Sequence, residues 1–166
     1  LMRRNYTRED DMNKITAIKN TIKDCGMATD IIAGFCTETL EDHKDTLDMM
    51  SWVGYDSAFM FNYSQRSNTL AAKKYEDDIS YEEKTRRLEE IIDLQRKLSL
   101  QSNQKDIGKE FEVLIEGESK RSREHLYGRN SQNKVIIFDR KNFKIGEYVQ
   151  VRVTSCTSAT LFGEIV

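Results

Sequence analysis

The chain has 166 residues, of which 38% are apolar and 33% are charged, so it can form one ordinary domain or two small ones with a modest core. Its net charge of −2 argues against a protein that binds polyanions over its whole surface. The charge is unevenly divided, because residues 104–166 carry 11 Lys and Arg against 9 Asp and Glu, whereas residues 1–103 carry 15 against 19. Any nucleic-acid site must therefore be local.

Alternating helices and strands are predicted for residues 1–103. Apolar residues at helical spacing and capping boxes indicate the helices, and short apolar runs beside glycine indicate the strands. In chain order we predict a helix at 8–23 after the capping box Thr7–Asp10, a strand within Met27 to Phe35, a helix from Thr39, a strand at Asp56 to Tyr63, a loop with a short helix at 64–79, and a long helix from the capping box Ser80–Glu83 to about Asn103. This order implies a parallel sheet covered by helices.

Beyond Ile107 the pattern changes to period two. Apolar and polar residues alternate in Phe111 to Ile115 and in Tyr148 to Thr154, and Thr160 to Val166 forms a last strand. Five strands with short turns predict a closed or nearly closed antiparallel β-barrel. The predicted fold class is therefore α/β for residues 1–103 plus all-β for residues 104–166, with the boundary near Asn103 to Gly108.

The cysteines give no sign of a metal or redox motif. Cys25, Cys36 and Cys156 are separated by 11 and 120 residues, so we interpret them as buried apolar residues of an intracellular chain. No apolar run reaches membrane-spanning length and no signal peptide is evident, so we expect a cytoplasmic protein with no membrane partner. We expect a piece of a longer protein for two reasons. Two strands make a poor sheet, and the chain opens on Leu1 within a pattern typical of the middle of a domain.

A basic stretch, Ser119 to Phe138, is the strongest functional signal in the residues themselves. Cations neutralise phosphates, an exposed aromatic ring offers a stacking surface, and amides can read base edges. This combination predicts a small barrel that binds single-stranded or looped RNA. The alternative is an ordinary barrel with basic loops, which composition alone favours because charge runs usually face solvent. The residues concerned are Lys120, Arg121, Arg123, Tyr127, Arg129, Asn130, Gln132, Asn133 and Lys134.

Three motifs in order carry a family resemblance: Met2-Arg-Arg-Asn-Tyr-Thr-Arg-Glu9, Thr29-Asp-Ile-Ile-Ala-Gly-Phe35 and Phe61-Asn-Tyr-Ser-Gln-Arg66. With them, the chain resembles the second half of a radical S-adenosylmethionine methylthiotransferase. The C-terminal segment resembles that family's TRAM domain, an RNA-binding β-barrel. The stretch Gly128-Arg-Asn-Ser-Gln-Asn-Lys134 is most similar to members that modify tRNA, since members that modify a ribosomal protein have a more acidic segment there.

The resemblance implies a fold and an activity. Residues 1–103 would be the C-terminal portion of a radical-SAM (β/α) barrel ending in a long helix, and residues 104–166 the TRAM barrel. The implied function is part of an enzyme that adds a methylthio group to dimethylallyl-adenosine next to the anticodon, with the tRNA anticodon stem-loop as partner; the sulfur donor stays unidentified. The implied cofactors are S-adenosylmethionine and four-iron four-sulfur clusters. The family's Cys-x-x-x-Cys-x-x-Cys motif is absent, so the cluster ligands would belong to the parent protein, and this chain alone would be inactive.

The resemblance also implies site residues. An arginine could pair with the cofactor carboxylate, a glycine would allow close backbone approach, and an apolar side chain would cover a purine face. Plain core-strand and surface-cation roles remain the alternatives for these positions. The implied cofactor-binding residues are Arg4, Thr29, Asp30, Ile32, Gly34, Tyr63 and Ser64, and the implied RNA-binding residues are Arg66, Lys120, Arg121, Arg123, Tyr127, Arg129, Asn130 and Lys134.

Two loop positions depart from the family pattern. Thr37 stands where the family has glycine, and a β-branched residue tolerates a positive φ poorly, which would disfavour cofactor binding if the loop needs that backbone. Asn68 stands at the second position of a usual Pro-Gly, a milder change because Asn can adopt the left-handed conformation. Glu38, next to Thr37, is expected either to anchor the Thr37 loop or to accept a hydrogen bond from a residue that contacts the cofactor. The other functions left open are a non-catalytic RNA-binding module and a sister methylthiotransferase acting on another adenosine derivative or on a ribosomal protein.

Overall fold

The computed structural model describes residues 5–120, 122 and 124–166. The predicted order of helices and strands is confirmed, and the chain divides into two compact units, Leu1–Gln95 and Arg96–Val166. None of the helices in the described ranges combines the length and apolar character needed to cross a bilayer. The elements are α1 (Arg8–Thr21), β1 (Ala28–Ala33), α2 (Leu40–Val53), β2 (Ser57–Asn62), α3 (Leu70–Lys74), α4 (Tyr81–Gln104), β3 (Glu110–Glu118), β4 (His125–Arg129), β5 (Val135–Asp139), β6 (Tyr148–Cys156) and β7 (Leu161–Ile165).

The first unit is built around a two-stranded parallel sheet. Strands β1 and β2 pair in parallel from Ala28 opposite Ser57 to Ala33 opposite Asn62, as the sequence predicted. Burial alternates along both strands because successive side chains point to opposite faces. One face is more buried, and the other leaves large apolar side chains exposed to solvent, namely Ile32, Phe59 and Phe61.

Side-chain caps start the helices of this unit. Thr7 with Asp10 forms the predicted capping box of α1, and Thr39 with Asp42 forms a capping box at the predicted start of α2, each satisfying otherwise unpaired N–H groups at the helix start. At α4 the backbone N–H of Glu83 donates to Ser80 Oγ at 3.2 Å, which is the first half of the predicted box Ser80–Glu83. The carboxylate of Glu83 is instead engaged by the guanidinium groups of Arg86 and Arg87.

This arrangement predicts an acid-sensitive start of α4. Hydrogen bonds from Arg86, then from Arg87, hold the pKa of Glu83 at about 2, below its usual 4.5. Because the folded-state pKa is depressed, the stabilisation is complete above pH 4.5 and is lost as pH falls towards 2. We expect the urea midpoint of Glu83→Gln to vary less with pH across this window than that of the wild type, with the fluorescence of Trp52 as the readout. Identical pH profiles would contradict this.

The second unit is a closed barrel with strand order β3-β4-β5-β7-β6. Its core is a single cluster of inward-facing side chains contributed by all five strands. The predicted closed barrel of five strands is thus confirmed, and the period-two pattern of β3 and β6 correctly placed Val113, Ile115, Val149, Val151 and Val153 inside.

The prediction that this barrel is antiparallel throughout is wrong. Strands β5 and β7 pair in parallel, with Ile136 opposite Leu161 and Ile137 opposite Phe162. The reason is parity: a closed ring of five strands cannot alternate direction at every neighbour, so at least one pair must be parallel. Here β6 returns beside β3 in antiparallel register, and the hairpin partner β7 then closes the ring beside β5, which runs in the same direction.

The last turns of α4 belong to this second unit. Asn103 is buried, and its Nδ2 donates to the backbone carbonyl of Thr157 at 2.8 Å, in the turn between β6 and β7. Ser99 is buried one turn earlier. These contacts tie the end of the long helix to the barrel.

Candidate nucleic-acid interface

Tyr127 lies on the outer surface of the barrel, where β3 and β4 meet. It pairs directly with Gly117, next to an irregularity in the register of β3 between Ile115 and Gly117. A Cβ at position 117 would lie 2.9 Å from Cε1 of Tyr127, so the glycine makes room for the ring to lie against the sheet. Tyr127 is therefore half-buried, with its ring against the sheet at Gly117.

Arg129 points outward two residues further along β4. Its Nε donates to Glu116 Oε2 at 3.2 Å, and its Nη1 donates to the backbone carbonyl of Asn133 at 3.0 Å. These bonds do not use the Nη2 group. The side chain is 40% exposed, and an exposed ion pair of this kind contributes only about 0–1 kcal/mol. A phosphate could therefore compete with Glu116 for this guanidinium.

Asn130 and Lys134 shape the loop between β4 and β5. Asn130 is buried, and its Oδ1 accepts from the backbone N–H groups of Gln132 at 3.1 Å and Lys134 at 3.0 Å. The Lys134 ammonium lies 2.6 Å from Asp106 Oδ2 and donates to Ser102 Oγ at 2.8 Å. With its side chain only 10% exposed, Lys134 has a partner within the protein, so both residues act first as structural supports.

The remaining cations predicted to bind RNA fall in two places. Lys120 is exposed in the turn after β3, and Arg66 is exposed in the loop after β2, in the other unit. Arg121 and Arg123 lie outside the described residues. Lys120, Tyr127 and Arg129 are thus brought to the region around β3 and β4, and Arg66 is not part of that unit.

Tyr148 on β6 is a surface residue that sequence reasoning missed. It is 63% exposed and pairs with Leu114 of β3, whose partner on the other side is Arg129. The available signal was the alternation of β6: if Val149 and Val151 face inward, Tyr148 must face outward. The barrel therefore presents two aromatic side chains near Arg129.

The predicted cofactor residues separate on the two faces of the β1–β2 sheet. Asp30 and Ile32 are exposed on the open face, together with Phe59 and Phe61. Thr29 is half-buried on the opposite face, since it is adjacent in the strand to Asp30. The open face therefore combines the exposed carboxylate of Asp30 with apolar surface.

Gly34, at the carboxyl end of β1, is buried beneath Lys84. It adopts φ +74°, and a Cβ there would lie under 3.0 Å from Cγ of Lys84. Its backbone N–H donates to Glu38 Oε2 at 3.0 Å, while Glu38 Oε1 accepts from Arg87 at 2.8 Å. Glu38 thus makes the contacts of a loop anchor, and the glycine admits a side chain of α4.

Tyr63, at the carboxyl end of β2, also lies beside Lys84. Its ring meets Phe35 edge-on with centroids 4.9 Å apart, and the Lys84 ammonium lies 5.3 Å from its centroid. Lys84 is in turn paired with Asp77 at 2.6 Å. The pKa of Tyr63 is raised, mainly because burial desolvates its hydroxyl and to a smaller extent because of a hydrogen bond with the buried Cys36. Ser64, the next residue, is exposed, and Arg4 lies outside the described residues.

The TRAM domain family matches residues 104–166, the barrel with the outward-facing Tyr127 and Arg129. Over all 166 residues the chain is 56%, 55% and 54% identical to proteins named tRNA-2-methylthio-N(6)-dimethylallyladenosine synthase from Parabacteroides distasonis, Phocaeicola vulgatus and Bacteroides fragilis. The chain is similar to these synthases along its whole length. Each alignment covers 100% of the chain and 36% of the relative, so the chain spans about a third of the length of these relatives.

A solved structure also matches part of the chain. The solution structure of a conserved protein from Methanococcus maripaludis is 30% identical over 36% of this chain and 79% of that one. Its TM-score is 0.30, too low for a comparison of the folds.

The two loop positions that depart from the methylthiotransferase pattern both adopt the left-handed conformation. Thr37 has φ 66° and Asn68 has φ 67°. The loop thus does use a positive φ at position 37, and the backbone N–H of Thr37 donates to Asp78 Oδ1 at 2.8 Å. Its β-branched side chain did not prevent this conformation, because contacts around the loop hold it in place.

The cluster ligands expected of a radical-SAM methylthiotransferase do not assemble in this chain. Cys36 is buried, Cys25 and Cys156 are half-buried, and all three are free thiols. Within the described ranges, no three His, Cys, Asp or Glu side chains converge on a point where they could hold a metal ion. The described residues therefore do not fit an iron–sulfur cluster.

Proposed function

We propose that this chain is part of an enzyme that adds a methylthio group to dimethylallyl-adenosine next to the anticodon, and that its barrel binds the anticodon stem-loop. The names of the relatives support the tRNA substrate, and the TRAM match supports RNA binding by residues 104–166. The observation that carries the proposal is the half-buried ring of Tyr127 on the same face of β4 as the half-exposed guanidinium of Arg129. A ring for base stacking next to a cation for phosphate is the usual pairing in proteins that bind single-stranded RNA.

The RNA surface we propose consists of exposed or half-exposed cations around that ring. Lys120 and Arg129 belong to it by position. Arg121 and Arg123 lie outside the described residues and are proposed as RNA contacts from the sequence alone. Arg66, in the other unit, is proposed as a separate contact with the RNA. We leave Asn130 and Lys134 out, because their side chains already bond the loop and Asp106.

For residues 1–103 we propose the role of a C-terminal portion of a radical-SAM barrel, and for residues 104–166 that of the TRAM barrel. Asp30 and Ile32 would hold S-adenosylmethionine, because a carboxylate can accept from ribose hydroxyls and an apolar side chain can cover adenine. Bound S-adenosylmethionine would supply the radical chemistry. Arg4, Thr29, Gly34, Tyr63 and Ser64 complete the proposed cofactor set, with Gly34 and Tyr63 acting by holding the loop.

We propose that the iron–sulfur clusters of the active enzyme are bound by a longer parent protein. The ligands would lie in the region that corresponds to the part of the relatives outside the match. On this proposal the chain alone is inactive, and the parent protein works in the cytoplasm. A second candidate function is a non-catalytic RNA-binding module, which the absence of converging metal ligands in the described residues favours. A sister methylthiotransferase with another adenosine derivative or a ribosomal protein as substrate is the third candidate.

RNA binding over a salt series tests the proposed surface. We expect the chain to bind a labelled anticodon stem-loop with an affinity that falls as salt rises. The triple variant Arg121→Ala, Arg123→Ala, Arg129→Ala is expected to bind more weakly. Its plot of log K against log salt should be shallower by about 2 units, since each phosphate contact with a single strand contributes about 0.7.

A charge-matched variant separates local contact from net charge. Lys44, Lys73 and Lys74 are exposed in the first unit, so their triple replacement by alanine removes the same charge away from the proposed surface. We expect this control to keep the wild-type salt slope. Equal losses in both triple variants would show that only net charge matters, and absence of binding by the wild type would refute the proposed RNA site.

A further inference from the structure

Tyr148 is the most exposed aromatic side chain of the barrel, and its position on the surface is fixed by strand register. It is the first residue of β6, directly opposite Leu114 of β3. Leu114 is opposite Arg129 of β4, and Arg129 is opposite Val135 of β5. These four outward-facing residues, Tyr148, Leu114, Arg129 and Val135, form one row across four neighbouring strands, which we call the Tyr148 row.

The spacing along the Tyr148 row suits a nucleic-acid strand. Neighbouring strands lie about 4.8 Å apart, so Tyr148 and Arg129 are separated by roughly 10 Å across Leu114. Leu114 is half-buried between them and provides an apolar floor. A base and a phosphate of the same or the next nucleotide can span such a distance when the strand is extended. Tyr127, two residues from Arg129 on the same face, adds a second ring beside the row.

Exposure distinguishes the two rings. Tyr127 is half-buried against Gly117, whereas Tyr148 is 63% exposed and the nearby Ile145 is 61% exposed. An exposed apolar surface beside a cation that is only weakly paired with Glu116 favours a flat apolar ligand carrying negative charge. An RNA base with its phosphate has this chemistry.

We propose that Tyr148 is a second base-stacking platform of the barrel: an unpaired base of the RNA stacks on its ring while an adjoining phosphate contacts Arg129. This inference rests on the proposed RNA-binding function and extends its site from β3 and β4 to β6. The tyrosine ring contributes by stacking through its π-face, whereas Arg129 contributes by its charge. Stacking of this kind is tolerant of base identity, so the platform supports affinity for loop nucleotides in general.

The test compares the RNA affinity and the salt slope of single variants of the full chain. Tyr148→Ala is expected to lower affinity for the labelled anticodon stem-loop about 5- to 150-fold, with an unchanged salt slope, because stacking involves no counterion release. Tyr148→Phe keeps the ring and is expected to bind within about twofold of the wild type. Arg129→Ala is expected to reduce the slope by about 0.7. Thermal unfolding should be nearly unchanged in Tyr148→Ala because the side chain is exposed.

Tyr81 provides the matched control, since it is 72% exposed at the start of α4 in the other unit. Tyr81→Ala is expected to bind RNA like the wild type. Wild-type affinity in Tyr148→Ala would overturn the platform while leaving the proposed function intact. Equal losses in Tyr148→Ala and Tyr148→Phe would assign the contact to the hydroxyl and overturn stacking. Absence of RNA binding by the wild-type chain would overturn both proposals.

Discussion

Replacing Lys134 by methionine is expected to destabilise the barrel by about 3 kcal/mol. Its ammonium lies 2.6 Å from the carboxylate of Asp106, whose side chain is only 3% exposed. Methionine fills similar space but leaves a buried negative charge with Lys109, 3.0 Å away, as the remaining ion-pair partner that we identify. Removing one member of a buried pair costs more than the pair contributes, because the other charge stays desolvated.

Hydrogen exchange is the appropriate measurement, because the single tryptophan, Trp52, lies in the first unit and does not report on the barrel. We expect faster exchange in Lys134→Met across the strands of residues 104–166 and no change in residues 8–62. The double variant Asp106→Leu with Lys134→Met removes both charges and should recover much of the loss. If Lys134→Met exchanged like the wild type but lost RNA affinity, the ammonium would be an RNA contact and our structural assignment would be wrong.

Replacing Gly34 by alanine is expected to destabilise the first unit by about 3 kcal/mol, from two causes. An L-residue at φ +74° is strained, and its Cβ would collide with Cγ of Lys84. Lys84 cannot easily move aside, because it is buried and its ammonium is paired with Asp77. The strain therefore falls on the loop that Glu38 anchors.

Gly54 offers a control in the same unit. It has φ +68°, yet a Cβ there would have no neighbour within 4 Å. We expect Gly54→Ala to cost only about 1 kcal/mol, the price of the backbone conformation alone. Urea unfolding followed by Trp52 fluorescence compares the two variants. Equal losses would show that the contact with Lys84 contributes nothing and that only the positive φ matters.

Local signals in the sequence were sufficient for much of the fold. The capping boxes at Thr7 and Thr39 formed because both partners lie within three residues of each other. The parallel pairing of β1 and β2 followed from the helix between them. The direction of β5 against β7 did not follow from any local pattern, because it depends on which strands become neighbours when the ring closes.

The site was predictable to a lesser degree, for the same reason. Cations near Tyr127 were visible in the sequence, but the partner of Lys134 is Asp106, 28 residues earlier, and no local pattern reveals such a pairing. Asn130 looked like an RNA-reading amide, yet its side chain bonds the two N–H groups that follow it in the loop. Tyr148 was overlooked because it lies outside the basic stretch and joins Arg129 only through the register of β3.

Amide NMR shifts of the full chain, titrated with an anticodon stem-loop, will show whether the outer face of β3, β4 and β6 binds RNA. We predict that the largest shift changes fall in residues 112–118, in 124–129 and near Tyr148. Smaller changes are expected near Arg66, and none around the buried pair of Lys134 and Asp106. Shift changes confined to the first unit, or spread evenly over both, would contradict the account.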